Sequence, residues 1–129
     1  MKKPKIKVTV TKEDKGYSAI ALAKNKFIST EAETFSELLP NILEAINLSF
    51  EDSNFVFSKE EIQFSYDLQS FFEYYKVINA KALCERIGMN QSLLAQYISG
   101  IKKPSQTQTN KIMMGIQQVG KELSELQLI

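Results

Sequence analysis

NAKALCERIGMNQSLLAQYIS, residues 79–99, reads as two short helices hinged at a glycine, the second opening on polar, uncharged side chains. Asn79 is placed to cap the first helix, with Ile78 spaced to pack on Leu83; Asn90 is placed to cap the second, with Met89 spaced to pack on Leu94. A cap oxygen accepts a free first-turn amide, and the apolar residue before it staples the entering chain to the helix. Gly88 supplies the left-handed residue that ends the first helix, and Arg86 puts a cation in its last turn, where the helix dipole favours one. Ile87, Leu94 and Ile98 are predicted to face inward beside the small Cys84.

This spacing resembles the helix-turn-helix of phage-repressor-like DNA-binding domains, in which the second helix lies in the major groove. Gln91, Ser92 and Gln96 then lie on a face not claimed by Leu93, Leu94 and Ile98, with Asn90 at its start. Amide side chains pair bidentately with adenine, and serine donates or accepts at either base type. Lys102, Lys103 and Lys111 follow, with a helix start capped by Ser105, and suit phosphate oxygens. The plainer reading is a helical hairpin for protein docking, with the lysines as solvated surface and Gln91 and Ser92 as good first-turn residues.

The charge distribution divides the chain more sharply than its net charge of +1. Residues 31–61 carry eight carboxylates against Lys59 alone, whereas residues 76–111 carry six cations against Glu85 alone. Two parts with different partners are expected. The chain has no histidine and one cysteine, so no intrachain disulfide forms and a reducing cytoplasm suits it. Without histidine, serine and cysteine nucleophiles lack their usual base and zinc its commonest ligand. No catalytic role, cofactor or metal is expected, and Cys84 reads as a packing residue. The opening MKKPKIKVTV has no apolar run to make it a signal peptide, and no stretch is long enough to span a membrane.

The residues before this pair predict an α+β domain over 1–66, with an all-α domain over 67–129. Ile6, Val8 and Val10 alternate with Lys7, Thr9 and Thr11, as in a half-buried strand. KEDKG turns the chain into a returning strand over 17–22, and a third follows near 26–29. Thr34 with Glu37 fits a capping box opening a helix to Asn47, whose stripe of Phe35, Leu38, Leu39, Ile42, Leu43 and Ile46 covers the sheet. Pro40 predicts a kink in that helix, or its regular start. Phe55, Val56 and Phe57 are expected to pack from a loop, Ile62 to Tyr66 to form a fourth strand, and Asp67 to cap a helix over 68–76 that opens the second domain. Ser105 and Gln108 form a further capping box before a helix whose stripe of Ile112, Met113, Ile116, Val119, Leu123 and Leu126 exceeds what so small a domain buries. That surplus predicts a dimer contact.

Taken together, GYSA on the second strand, TFSELLPNILEAI and RIGMNQSLLAQYISGIKKPS resemble the HicB antitoxins over nearly the whole chain. The resemblance implies a small antiparallel sheet covered by a helix, like a shortened ribonuclease H without its catalytic residues, followed by a helix-turn-helix domain. It implies that the first domain occludes a HicA-type RNA-cleaving toxin, while the second forms a homodimer or higher homo-oligomer and represses its own operon at operator DNA. Glu13, Asp14, Tyr17, Glu31 and Glu33 are the expected toxin-facing residues. Where many members carry a proline- and glycine-rich segment after the second strand, this chain has ALAKNKFIST. The rival readings are a stand-alone transcriptional regulator with a ligand-sensing first domain and, more weakly, a metal-dependent nuclease. The strand over 5–11 presents lysines and threonines, not the carboxylates a two-metal nuclease clusters.

Overall fold

The computed structural model describes residues 2–129; Met1, which opens the expected first domain, lies outside the described residues. Strands β1 (Ile6–Lys12), β2 (Tyr17–Ala23) and β3 (Lys26–Ala32) are followed by helix α1 (Phe35–Ser49), strand β4 (Ile62–Tyr66) and helices α2 (Leu68–Tyr74), α3 (Ala80–Ile87), α4 (Gln91–Ser99) and α5 (Gln106–Glu125). The fold is α+β. The chain divides into two compact units, the first ending at Tyr74 and the second spanning Tyr75–Ile129.

The sheet order is β3-β2-β1-β4, and β4 runs parallel to β1 with Ile6 opposite Ile62 and Val10 opposite Tyr66. The sheet is therefore mixed, not antiparallel as expected. The reason is the connection: α1 carries the chain back along the sheet, so β4 enters in the direction of β3, which is also that of β1. Between β1 and β2, Gly16 adopts φ +75°, and a Cβ there would meet the Ala32 carbonyl oxygen at 2.3 Å. Only glycine lets the turn pass so near β3.

One sheet face is sealed over β1 and β2. Ile6, Val8 and Val10 from β1, with Ala19 and Ala21 from β2, meet Leu38, Ile42 and Ile46 from α1, all fully or almost fully buried. Each of these valine, leucine and isoleucine side chains contributes about 1.5–3 kcal/mol relative to exposure. Thr34 caps α1 by accepting from the Glu37 amide at 3.3 Å. A single helix runs through Pro40. Pro40 and Ser36 are exposed, so water can serve the Ser36 carbonyl that Pro40 has no amide to reach. Phe57 is buried and Phe55 half-buried, whereas Val56 between them is exposed and does not pack as expected.

α2 packs on β1 and β4 and belongs to the first unit, so the break between units falls after Tyr74 rather than after residue 66. Asp67 receives the Ser70 amide at 2.9 Å and the Lys12 amide at 3.1 Å, tying the cap of α2 to the end of β1. The Tyr17 hydroxyl donates to Glu73, and the Lys12 ammonium stands 3.4 Å from the same carboxylate. The Tyr17 ring lies against Phe35 with centroids 4.0 Å apart, and Phe35 against Tyr74 at 4.7 Å. Tyr17 was expected on the surface; aromatic stacking and Glu73 instead hold it in the core. Burial, then the hydrogen bond to Glu73, raises its phenol above the ordinary value.

In the second unit Leu83, Cys84, Met89, Leu94 and Ile112 are buried. α3 packs against both α4 and α5. Gly115 lets α5 approach α3: a Cβ there would meet Ile87 Cγ2 at 2.4 Å. Met113, Met114 and Leu123 on α5, and Leu126 just beyond it, remain exposed, while Ile116 and Val119 are half-buried. No helix among the described residues is long and apolar enough to cross a membrane.

Candidate nucleic-acid interface and acidic surface

Both ends of the short helices are built by their caps. Asn79 accepts from the Ala82 amide at 3.0 Å, and Gly88 ends α3 at φ +68°. Two residues later Asn90 accepts from the Ser92 amide at 2.8 Å and the Leu93 amide at 3.2 Å. The Asn90 oxygen is therefore committed to the helix start, which leaves the side-chain amide nitrogen to donate. Leu94 is buried beneath α4, with Ile87 and Ile98 half-buried on the inward side as expected. Gln91 and Ser92 are exposed, and Gln96 is half-exposed one turn on. The arrangement presents amide and hydroxyl groups on a capped helix whose other face is fixed by Leu94.

The lysines converge on the same helix. Lys102 and Lys103 are exposed immediately after it, where the Lys102 amide bonds the Gln96 carbonyl at 3.2 Å and folds the exit back on α4. Lys111, exposed on α5, reaches the Gly88 carbonyl at 3.5 Å, which places a cation at the turn into α4. Ser105 caps α5 by accepting from the Gln108 amide at 3.2 Å. Lys81 escaped the sequence reading. It shares a cleft of about 220 Å³ with Gln91, Cys84 and Leu94. A single lysine early in an amphipathic helix carries no motif, so only the packing of α3 on α4 reveals it.

Arg86 is otherwise engaged. Its two terminal nitrogens donate at 2.8 Å each to the two carboxylate oxygens of Glu122 on α5. That fork, then a hydrogen bond from Gln118, holds the Glu122 carboxyl down at about 2. Cys84 is buried, and burial, then the charge of Glu85, pushes its thiol up, as suits a packing residue.

The expected toxin-facing carboxylates share one end of the sheet. Register sets Lys12 opposite Tyr17 and Tyr17 opposite Ala32, so the turn bearing Glu13 and Asp14 adjoins Glu31 and Glu33 at the exit of β3. All four are exposed, and Glu13 accepts from the Ser18 hydroxyl at 2.7 Å. Glu37, in the first turn of α1, adds to the same end. The opposite end carries lysines that cover rings: Lys3 lies 4.7 Å from the Phe57 centroid, Lys26 5.3 Å from Phe50 and Lys24 5.7 Å from Phe55, and Lys3 also pairs with Glu61 at 2.7 Å. Among the described residues, no three His, Cys, Asp or Glu side chains group closely enough to hold a metal. No family model, curated protein or solved structure matches the chain.

Proposed function

We propose that this chain is a HicB-type antitoxin: its first unit occludes a basic RNA-cleaving toxin of the HicA type, and its second binds operator DNA and represses the operon. The observation that carries the reading is α4. An Asn90-capped helix, three residues after an αL-terminated partner, leaves Gln91, Ser92 and Gln96 available and gathers Lys102, Lys103 and Lys111 around its ends. That is the placement a helix-turn-helix needs for base edges and phosphates. The four-stranded sheet under one helix suits the shortened ribonuclease H-like frame of the family, and its acidic end offers a complementary surface to a cationic protein. The surplus apolar residues of α5, led by Met113, Met114 and Leu123, suit a homodimer contact.

Two measurements test the halves separately. The purified chain should capture the small basic protein encoded beside it and stop that protein from cleaving RNA; capture without loss of cleavage rejects occlusion. Binding to the operator should fall steeply with salt as phosphate counterions are released. Gln91→Ala or Gln96→Ala should cost about 1–3 kcal/mol at the cognate site if these amides read bases. An unchanged preference for operator over random DNA removes them from the readout.

One observation favours a second reading, a regulator whose first unit senses a ligand. α1 leaves part of the inner face of β4 open, and a groove of about 370 Å³ runs between Phe35, Leu39, Leu43, Ile62, Phe64 and Tyr74. Release of operator DNA on adding an apolar metabolite, with no toxin-like gene adjacent, would select this alternative.

A further inference from the structure

The exposed apolar residues of the first unit are not scattered. Ile20, Leu22, Phe27 and Leu48 stand 37%, 68%, 67% and 63% exposed, and among the described residues only Val56 joins them in that unit. The first three sit on the sheet face turned away from α1, where Leu22 lies opposite Phe27 in register. Leu48 lies on the flank of α1 away from Leu39 and Leu43, which face β4, and therefore on the β3 side. The four residues flank the β3 edge from above and below.

That edge is long and carries its charges only near its two ends, at Lys26 and Glu31. β3 runs seven residues without proline at the outside of the sheet. Natural sheets ordinarily blunt such an edge. Its hydrogen-bonding direction follows from the two-residue turn Lys24-Asn25, in which both residues have positive φ. Across such a turn Ala23 and Lys26 exchange both backbone hydrogen bonds, so residues 28, 30 and 32 also bond to β2. The amides and carbonyls of Phe27, Ser29 and Glu31 consequently point off the sheet.

We propose that two copies of this chain join through β3, edge to edge and antiparallel, about a two-fold axis at Ser29, doubling the four-stranded sheet. Charge selects the direction. β3 runs from Lys24 and Lys26 to Glu31 and Glu33, so antiparallel pairing sets the basic end of each copy beside the acidic end of the other, while parallel pairing opposes like charges. Hydrogen bonding selects the register. With Ser29 opposite Ser29 of the other copy, Phe27 faces Glu31 of the other copy, and every outward amide and carbonyl of the strand is used. Moving the axis to Phe27 or Glu31 leaves outward groups unmatched. The contact is isologous and closes as a dimer, and it brings both flanking apolar strips to one seam. It depends on neither the toxin nor the DNA reading.

Full-length Ser29→Cys tests the axis. A hydrogen-bonded antiparallel pair holds its Cα atoms about 5.5 Å apart, within disulfide reach. Buried Cys84 stays out of the reaction. Mild oxidation should link S29C to itself; F27C and E31C should link when mixed, and neither alone. Ser29→Pro, which removes an outward amide but no bond to β2, should weaken association by about tenfold or more in sedimentation at unchanged circular dichroism. To remove any self-association through α5, S29P is compared with its parent in a Met113→Lys, Met114→Lys background. Natively folded S29C that never links, F27C that links to itself, or S29P of unchanged mass each overturns the proposal. A β3 edge that pairs only with another protein would show the first of these failures and the third.

Discussion

The two units of this chain spend their hydrophobic residues differently. The first seals Val8, Val10, Ala19, Ala21, Leu38, Ile42 and Ile46 from water entirely. The second buries Leu83, Cys84, Met89, Leu94 and Ile112 and leaves Met113, Met114 and Leu123 exposed. A 55-residue unit, Tyr75–Ile129, sits near the size at which a hydrophobic core alone gives marginal stability. The contrast separates a sheet platform that displays charge at its ends from a helical unit held by caps and the Arg86–Glu122 pair, with an exposed apolar stripe on α5.

The comparison breaks most sharply in the core. Ile42→Ala should destabilise the first unit by about 2–5 kcal/mol, read as a lower urea midpoint at unchanged m-value. Leu94→Ala removes similar volume from a smaller core and should unfold the second unit outright at ordinary temperature, seen as lost helical ellipticity with the sheet signal retained. If Leu94→Ala instead costs less than Ile42→Ala and leaves the helices formed, the second unit is the more robust one. Gly16→Ala comes next. A left-handed non-glycine residue costs about 1–3 kcal/mol, and here the backbone oxygen of Ala32 blocks the added methyl as well. A variant as stable as the parent would mean that the turn relaxes away from β3.

Removing a cap is smaller and falls on the second unit. Asn90→Ala should cost about 1 kcal/mol of thermal stability and loosen the first turn of α4, whereas Asn90→Ser, which keeps a cap acceptor, should restore most of it. If both variants weaken operator binding equally despite that recovery, Asn90 touches DNA directly and is more than a cap.

Legibility in the sequence followed the range of the interactions. The alternation of Ile6, Val8 and Val10 and the caps Thr34, Asn79, Asn90 and Ser105 are local signals, and each element stands where they set it. The direction of β4 was not legible, because alternation reports which face a residue takes and not which way the strand runs. Tyr17 follows a charged turn and reads as surface; its burial is decided by Phe35 and Glu73, distant in the chain. The same contacts assign α2 to the first unit, although Asp67 marked its start correctly. On α4 the exposed amides and hydroxyl were legible from helical spacing, while Lys81 beside Gln91 and Glu122 beside Arg86 required the packing of α3 on α4 and on α5.

The smallest effect concerns that last pair. The carboxyl of Glu122 is held at about 2 in the folded chain against an ordinary 4.5. A folded-state value below the unfolded one stabilises at every pH above about 4.5, and the contribution fades as pH falls from 4.5 towards 2. Both partners are about half exposed, so salt screens the pair and its magnitude is modest. Acid titration of the second unit's melting temperature should therefore decline over this window in the parent and flatten in Glu122→Gln. Arg86→Met should flatten it equally, since the guanidinium is the first cause of the shift. A slope that survives in both variants would assign the acid sensitivity to other carboxylates and leave the α3–α5 contact resting on Ile112 and the close approach at Gly115.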